Sequence, residues 1–260
     1  MDLFNFPKVA INKKIRLIEL FAGCGSQAMA LRDIGADFEH WFVCEFDKYA
    51  VKAYNLIHGT DFEPSDIRNI KGSDLRITDK DKYEYILTYS FPSQDLSAAG
   101  LQKGMSKADW ESGKATRSGL LWEVERILKE LPKEQLPDIL LMENVPQVHA
   151  EQNKPDFDSW CEFLRHKGYQ NFMKDLNAKD YGIPQNRERC FMVSVLADDF
   201  IDFEFPEPIK LEKVIEDCLE DDVGDEYYLT SEKAMKLCSE LAEKRTDVGR
   251  RREYRSPRAG

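Results

Sequence analysis

The run Ile15-Arg16-Leu17-Ile18-Glu19-Leu20-Phe21-Ala22-Gly23-Cys24-Gly25-Ser26 sets the architecture of this chain. Its first seven residues read as a strand, and two glycines then allow the backbone to turn tightly. Ser26 to Ile34 reads as a helix stopped by Gly35. The alternation repeats on either side of the next turns: His40 to Glu45 as a strand, Lys48 to Ile57 as a helix ended by Gly59, Tyr85 to Tyr89 as a strand. Gly119 to Leu131 is helical, with Leu120, Leu121, Val124, Ile127 and Leu128 on one face and Pro132 at its end. Asp138 to Met142 follows as a strand, then Phe157 to Lys167 as a helix closed by Gly168. Tyr169 to Asp175 and Arg189 to Val195 read as two more strands around a turn at Tyr181-Gly182-Ile183-Pro184. Such alternation predicts an α/β fold, a mostly parallel twisted sheet with helices on both faces.

The 260 residues, 42% of them hydrophobic, suffice for one large domain or two small ones with a substantial core. No apolar run reaches the roughly 18 residues of a membrane span, and Met1 to Lys14 lacks the apolar core of a secretory signal. The six cysteines, at 24, 44, 161, 190, 218 and 238, are scattered and form no C-x-x-C pair. That spacing argues against a zinc site and a disulfide framework, so no metal and a reducing, cytoplasmic setting are expected. The net charge of −11 disfavours indiscriminate binding to a polyanion, although a local basic cleft remains compatible with it.

The Gly23-Cys24-Gly25 turn leaves room for a ligand beside a helix N-terminus. Glu45 ends the second strand 20 residues after Gly25, where an acid that binds ribose hydroxyls belongs. Phe46 is placed to cover an adenine face, and Asp66 to accept an adenine amino group. Together they point to an adenosine-containing ligand.

Phe91-Pro92-Ser93-Gln94 follows the third strand and opens a long polar loop. Met142-Glu143-Asn144-Val145 and Gln185-Asn186-Arg187-Glu188-Arg189 come later, in that order. In these segments the chain resembles the bacterial DNA (cytosine-5) methyltransferases, and the loop through Gly119-Leu120-Leu121-Trp122-Glu123 is nearest the CG-methylating branch. The resemblance implies a Rossmann-like S-adenosylmethionine-dependent methyltransferase fold acting on double-stranded DNA. It implies an S-adenosyl-L-methionine pocket of Phe21, Gly23, Gly25, Glu45, Phe46, Asp66 and Ile67, with Pro92 and Leu120 at the methyl end. S-adenosyl-L-homocysteine would be the product. In the base-modifying site, Glu143 would pair with N3 and the exocyclic amine of a flipped cytosine, while Arg187 and Arg189 hold O2. Gln94 to Gly100, Gln102 to Gly104 and Thr116 to Gly119 resemble the family's mobile catalytic loop.

The chain departs from the family at two places. The family's signature is Phe-Pro-Cys-Gln, its cysteine attacking C6 of cytosine; Ser93 stands there instead, so the chain is expected to be inactive or strongly impaired. The resemblance also stops near Leu229, before the family's target-recognition domain and the returning segment that completes the cofactor pocket. The expected organisation is therefore 1–200 catalytic and cofactor-binding, 201–244 an acidic connector toward a missing recognition domain, and 245–260 a basic, disordered tail with six arginines. Alternatives are a non-catalytic S-adenosylmethionine- or DNA-binding protein, one half of a split methyltransferase completed by a second chain, and an unrelated adenosine-cofactor enzyme.

Overall fold

Strand β1 (Lys14–Leu20) is buried from Ile15 onward and lies inside a six-stranded sheet. The computed structural model describes residues 8–96, 104–114 and 116–245. After β1 come α1 (Ser26–Asp33), β2 (Phe38–Cys44), α2 (Lys48–His58), β3 (Tyr83–Tyr89), α3 (Lys107–Glu111) and α4 (Leu121–Glu130). Then follow β4 (Ile139–Asn144), α5 (Lys154–His166), β5 (Tyr169–Asn177), β6 (Glu188–Leu196) and α6 (Glu232–Arg245). Local chemistry fixes the ends. Asp47 accepts from the Tyr49 and Ala50 amides to start α2, and Gly59, at φ 66°, ends it.

The sheet order is β2-β1-β3-β4-β6-β5. β1 is parallel to β2 and β3, and β3 to β4, whereas β6 runs antiparallel to both β4 and β5. The sheet is therefore mostly parallel with one reversed strand. Alternate residues of β1 serve opposite faces. Ile18 and Leu20 join the main core with Val124, Ile127 and Leu128 of α4 and Phe157, Trp160 and Leu164 of α5. Ile15 and Leu17 pack with Ala28 of α1, and Val43 of β2 packs with Tyr54 of α2. Helices thus cover both faces of an α/β sheet.

The chain divides into two compact units, Met1–Lys213 and Val214–Gly260. The first reaches past residue 200 because the Phe203 ring packs 5.2 Å from that of Phe172, and the Ile209 amide donates to Asp180 O at 2.8 Å. Helix α6 lies in the second unit, within the stretch expected as a connector. Parts of the expected catalytic loop, 97–103 and 115, and the basic tail, 246–260, lie outside the described residues. No described helix is long and apolar enough to cross a membrane.

Candidate active site

The chain moves outward from β1 to β2 and then returns to place β3 on the other side of β1. Ligands of open α/β sheets bind at the carboxyl edge over such a reversal. There β1 delivers the glycine turn, β2 delivers Glu45, β3 delivers the 90–94 segment, and β4 delivers Glu143 and Asn144. β6 runs the opposite way, so its first residues reach the same edge. That reversal brings Arg187 and Arg189 beside Glu143.

A cavity of about 920 Å³ opens at this edge. Its wall contains Phe21, Glu45, Phe46, Asp66, Ile67, Pro92 and Leu120 of the expected cofactor set, together with Ser93, Glu143, Arg187 and Arg189. The two glycines are placed differently. Gly23 lines a neighbouring, mainly apolar hollow of about 1260 Å³. Gly25 is buried at φ 80°, and a Cβ there would meet His58 and come within 2.6 Å of the Tyr54 ring, so only glycine fits. Gly23 serves the cavity indirectly: its amide donates to Glu45 Oε2 at 2.9 Å, while the Asp47 amide donates to Oε1 at 2.8 Å.

These residues fit an adenosine-bearing group. Each Glu45 oxygen takes one backbone N–H and keeps a lone pair for a diol. The Phe46 side chain beside it is 72% exposed, an aromatic face without cover. Asp66 accepts from the Arg68 Nε and backbone amide at 3.0 Å. The Arg68 side-chain bond holds its carboxyl below the ordinary range, so it stays an acceptor. Phe21, at φ 58°, takes a left-handed backbone that bulky residues rarely adopt, so the turn begins ahead of its first glycine.

The loop carrying Ser93 is tied from three directions. Asn144 Nδ2 donates to Phe91 O at 2.9 Å, the Ser118 hydroxyl donates to Pro92 O at 2.6 Å, and Asp95 accepts from the Arg117 amide at 2.8 Å. Asn144 is buried, and its Oδ1 also accepts from the Val145 amide at 2.9 Å. Asn144→Ala would strand a buried carbonyl and a buried amide, so urea denaturation should show a loss of about 2 kcal/mol. An unchanged midpoint would show that the β4 end and the Ser93 loop are held by other contacts.

Glu143 Oε1 forms ion pairs with Arg189 Nε at 3.0 Å and with Arg187 Nη2 at 3.5 Å. One carboxylate faces two guanidiniums, which leaves the cluster with net positive charge despite the acidic chain. No histidine is among the described residues lining the Ser93 cavity, and Cys24 lines the other hollow instead. Sequence reasoning missed Asp95 and Ser118 as loop anchors, because only the fold brings the start of α4 against the 92–95 segment. Across the sheet face bearing α1, the apolar hollow is lined by Leu17, Ala30, Ile86, Ile139, Leu141 and Val193.

The family model for C-5 cytosine-specific DNA methylases matches residues 15–254. The chain is 31% identical over 271 residues to the orphan methyltransferase M.SssI of Spiroplasma monobiae, covering 84% of this chain and 68% of that protein. It is 37% identical over 218 residues to the type II methyltransferase M.NlaX of Neisseria lactamica, covering 84% and 63%. Against the type II methyltransferase M.HhaI of Haemophilus parahaemolyticus the identity is 32% over 233 residues, with 89% and 65% covered. The S. pombe Dnmt2 methyltransferase crystal structure shares the fold at TM-score 0.63 and 21% identity, over 88% of this chain and 66% of that one. The chain thus spans about two thirds of the length of these relatives. A sheet reversal with a nucleoside-fitting pocket, and a family model that matches from residue 15 to 254, past Leu229 where the resemblance was expected to stop, lead to one assignment: this chain belongs to the C-5 cytosine-specific DNA methylase family.

Proposed function

We propose that this chain is the catalytic and cofactor-binding part of a DNA cytosine-5 methyltransferase, built to methylate C5 of a cytosine flipped out of duplex DNA and stalled by the oxygen at position 93. One observation carries the reading: Ser93, Glu143 and Arg189 line the same cavity as Glu45 and Asp66. S-adenosyl-L-methionine is the methyl donor of this family; when bound it supplies an electrophilic methyl group and leaves as S-adenosyl-L-homocysteine.

Glu45 would bind the ribose hydroxyls, Phe46 and Ile67 would enclose the adenine, Asp66 would take its amino group, and Phe21, Pro92 and Leu120 would line the methyl end. C5 of cytosine becomes nucleophilic only after a group adds to C6. Glu143 binds N3 and the exocyclic amine, for which it exchanges an arginine contact for the base. Arg189 holds O2, and the more exposed Arg187 serves O2 or a nearby phosphate. The Ser93 hydroxyl occupies the position facing C6, with no histidine among the described residues of the cavity wall to take its proton.

Isothermal calorimetry with S-adenosyl-L-methionine tests the pocket. Binding heat is expected, and Glu45→Ala should weaken affinity roughly thirtyfold, the worth of charged hydrogen bonds of about 2 kcal/mol. No heat from folded protein would remove the cofactor half of the reading. A second chain, or further polypeptide in the same one, completes the protein in a companion reading. An apolar hollow that the described residues leave open on the α1 face favours it, since both faces of such a sheet are ordinarily covered. The free cysteines among the described residues accord with a cytoplasmic setting.

A further inference from the structure

His149, Asp175 and Cys190 meet on the side of the sheet opposite the catalytic cluster. Cys190 is fully buried on β6, pointing away from its neighbour Arg189. Asp175 stands opposite it in the β5–β6 ladder. His149 ends the short turn Pro146–His149 that follows β4. His149 Nε2 lies 3.0 and 3.1 Å from the two Asp175 oxygens, and one ligand atom from each of the three residues lies within 4.8 Å of the others.

We propose that these three side chains form a binding site for one zinc-class divalent cation. The donor set selects the ion class. A thiolate, an imidazole nitrogen and a carboxylate suit borderline-soft Zn²⁺, whereas magnesium and calcium prefer oxygen alone. Charge balances as well: a thiolate and a carboxylate each carry one negative charge, the imidazole is neutral, and a divalent cation brings the sum to zero. Ligand atoms around a tetrahedral zinc stand about 3.3 to 3.7 Å apart. The set therefore needs small side-chain rotations, with His149 and Asp175 parting slightly and Cys190 closing in.

Two of the ligands are fixed by backbone ladders, and the third is anchored by its neighbour Val148, which is fully buried. The His149 and Asp175 side chains are each 31% exposed, so water can fill the fourth position. On binding, the sulfur–hydrogen bond of Cys190 breaks, its proton passes to solvent, and a sulfur–metal bond forms with no change of oxidation state. The ion would pin the turn after Glu143 to β5 and β6, stiffening the catalytic wall from behind without touching substrate. The expectation of no metal rested on six scattered cysteines with no C-x-x-C pair; the proposed site would draw its ligands from three separate segments instead.

Cobalt(II) added to reduced, chelator-stripped protein tests the site. One equivalent should give the intense visible bands of tetrahedral cobalt and a thiolate-to-cobalt charge-transfer band, both displaced by zinc. Cys190→Ala should lose the charge-transfer band, Cys24→Ser should keep it, and His149→Asn and Asp175→Asn should weaken cobalt binding at least about tenfold. Absence of charge transfer in the parent protein, or its persistence in Cys190→Ala, overturns the proposal. If Cys190→Ala does not fold, the partly exposed His149 decides: cobalt affinity unchanged in His149→Asn overturns it equally.

Discussion

Ser93→Cys is expected to raise methyl transfer to duplex DNA at least about a thousandfold, corresponding to a barrier lowered by roughly 4 kcal/mol. A thiol ionises near neutrality, with a reference pKa of about 8.5, whereas an alcohol remains protonated. Among the described residues no histidine lines the cavity to remove that proton. The positive excess of Arg187 and Arg189 over Glu143, in the same wall, would further favour a thiolate. The exchange is nearly isosteric at a half-buried position whose loop is tied by Asn144 and Ser118, so folding should hardly change. The measurement is incorporation of tritiated methyl groups from S-adenosyl-L-methionine into DNA, with Glu143→Gln added to Ser93→Cys as the control that should cancel the gain. Equal, negligible transfer by the parent and Ser93→Cys proteins, each shown to bind cofactor and DNA, would place the missing chemistry somewhere other than position 93.

The sequence revealed the elements well because the central strands β1, β3 and β4 are apolar runs and most helices end at a glycine or proline. Gly59 and Pro132 are examples: α2 stops at His58 and α4 at Glu130. The insertion of β6 between β4 and β5 was not legible. Local pattern carries no strand direction, and the 178–187 connection allows a tight return without dictating which side β6 takes. The short helix α3, with five residues, lies inside a stretch that reads as loop. Helix α6 follows the acidic 216–226 run and mixes three glutamates with four lysines and arginines, and its apolar residues Met235, Leu237 and Leu241 are all exposed, so no buried stripe marks its period. The site residues were legible mostly through resemblance, since nothing in local spacing requires Glu143 to find Arg189. Gly25 was legible as a turn, but its packing against Tyr54 and His58 depends on how α2 returns under the loop. Glu19 shows the same limit. It reads as one polar residue in a strand, and only the fold reveals that it is buried with partners from β2 and α2 close by.

Glu19→Gln is expected to stabilise the protein by about 3 kcal/mol above pH 7 and to flatten part of its pH profile. Glu19 is fully buried, and its Oε2 accepts from the Tyr54 hydroxyl. Burial pushes its carboxyl up to about 7 from the ordinary 4.5, against the opposing pull of the Tyr54 hydroxyl and the Ala28 backbone amide. Between those two values the native state holds a proton that the unfolded chain has released. Stability therefore falls as pH rises through that window, by about 1.4 kcal/mol per pH unit, and Glu19's contribution is gone above pH 7. The hydrogen bonds can accommodate both forms. Ionised Glu19 accepts from Tyr54, whose oxygen can accept from His40 Nδ1 at 2.6 Å; protonated Glu19 donates to Tyr54, which then donates to His40. The amide introduced by Glu19→Gln would reproduce the second arrangement at every pH. Burial, with His58 nearby, lowers the pKa of His40, so that group loses native stability as pH falls, opposite in sign to Glu19. Urea midpoints of parent and variant from about pH 5 to 8 should therefore be subtracted, which cancels His40 and leaves a difference that grows toward neutrality and then levels. Because Tyr54 and His58 press on Gly25, the same titration should make the floor of the glycine turn firmer at low pH. Parallel profiles for parent and variant would mean that Glu19 keeps an ordinary carboxylate pKa and that water reaches it in solution.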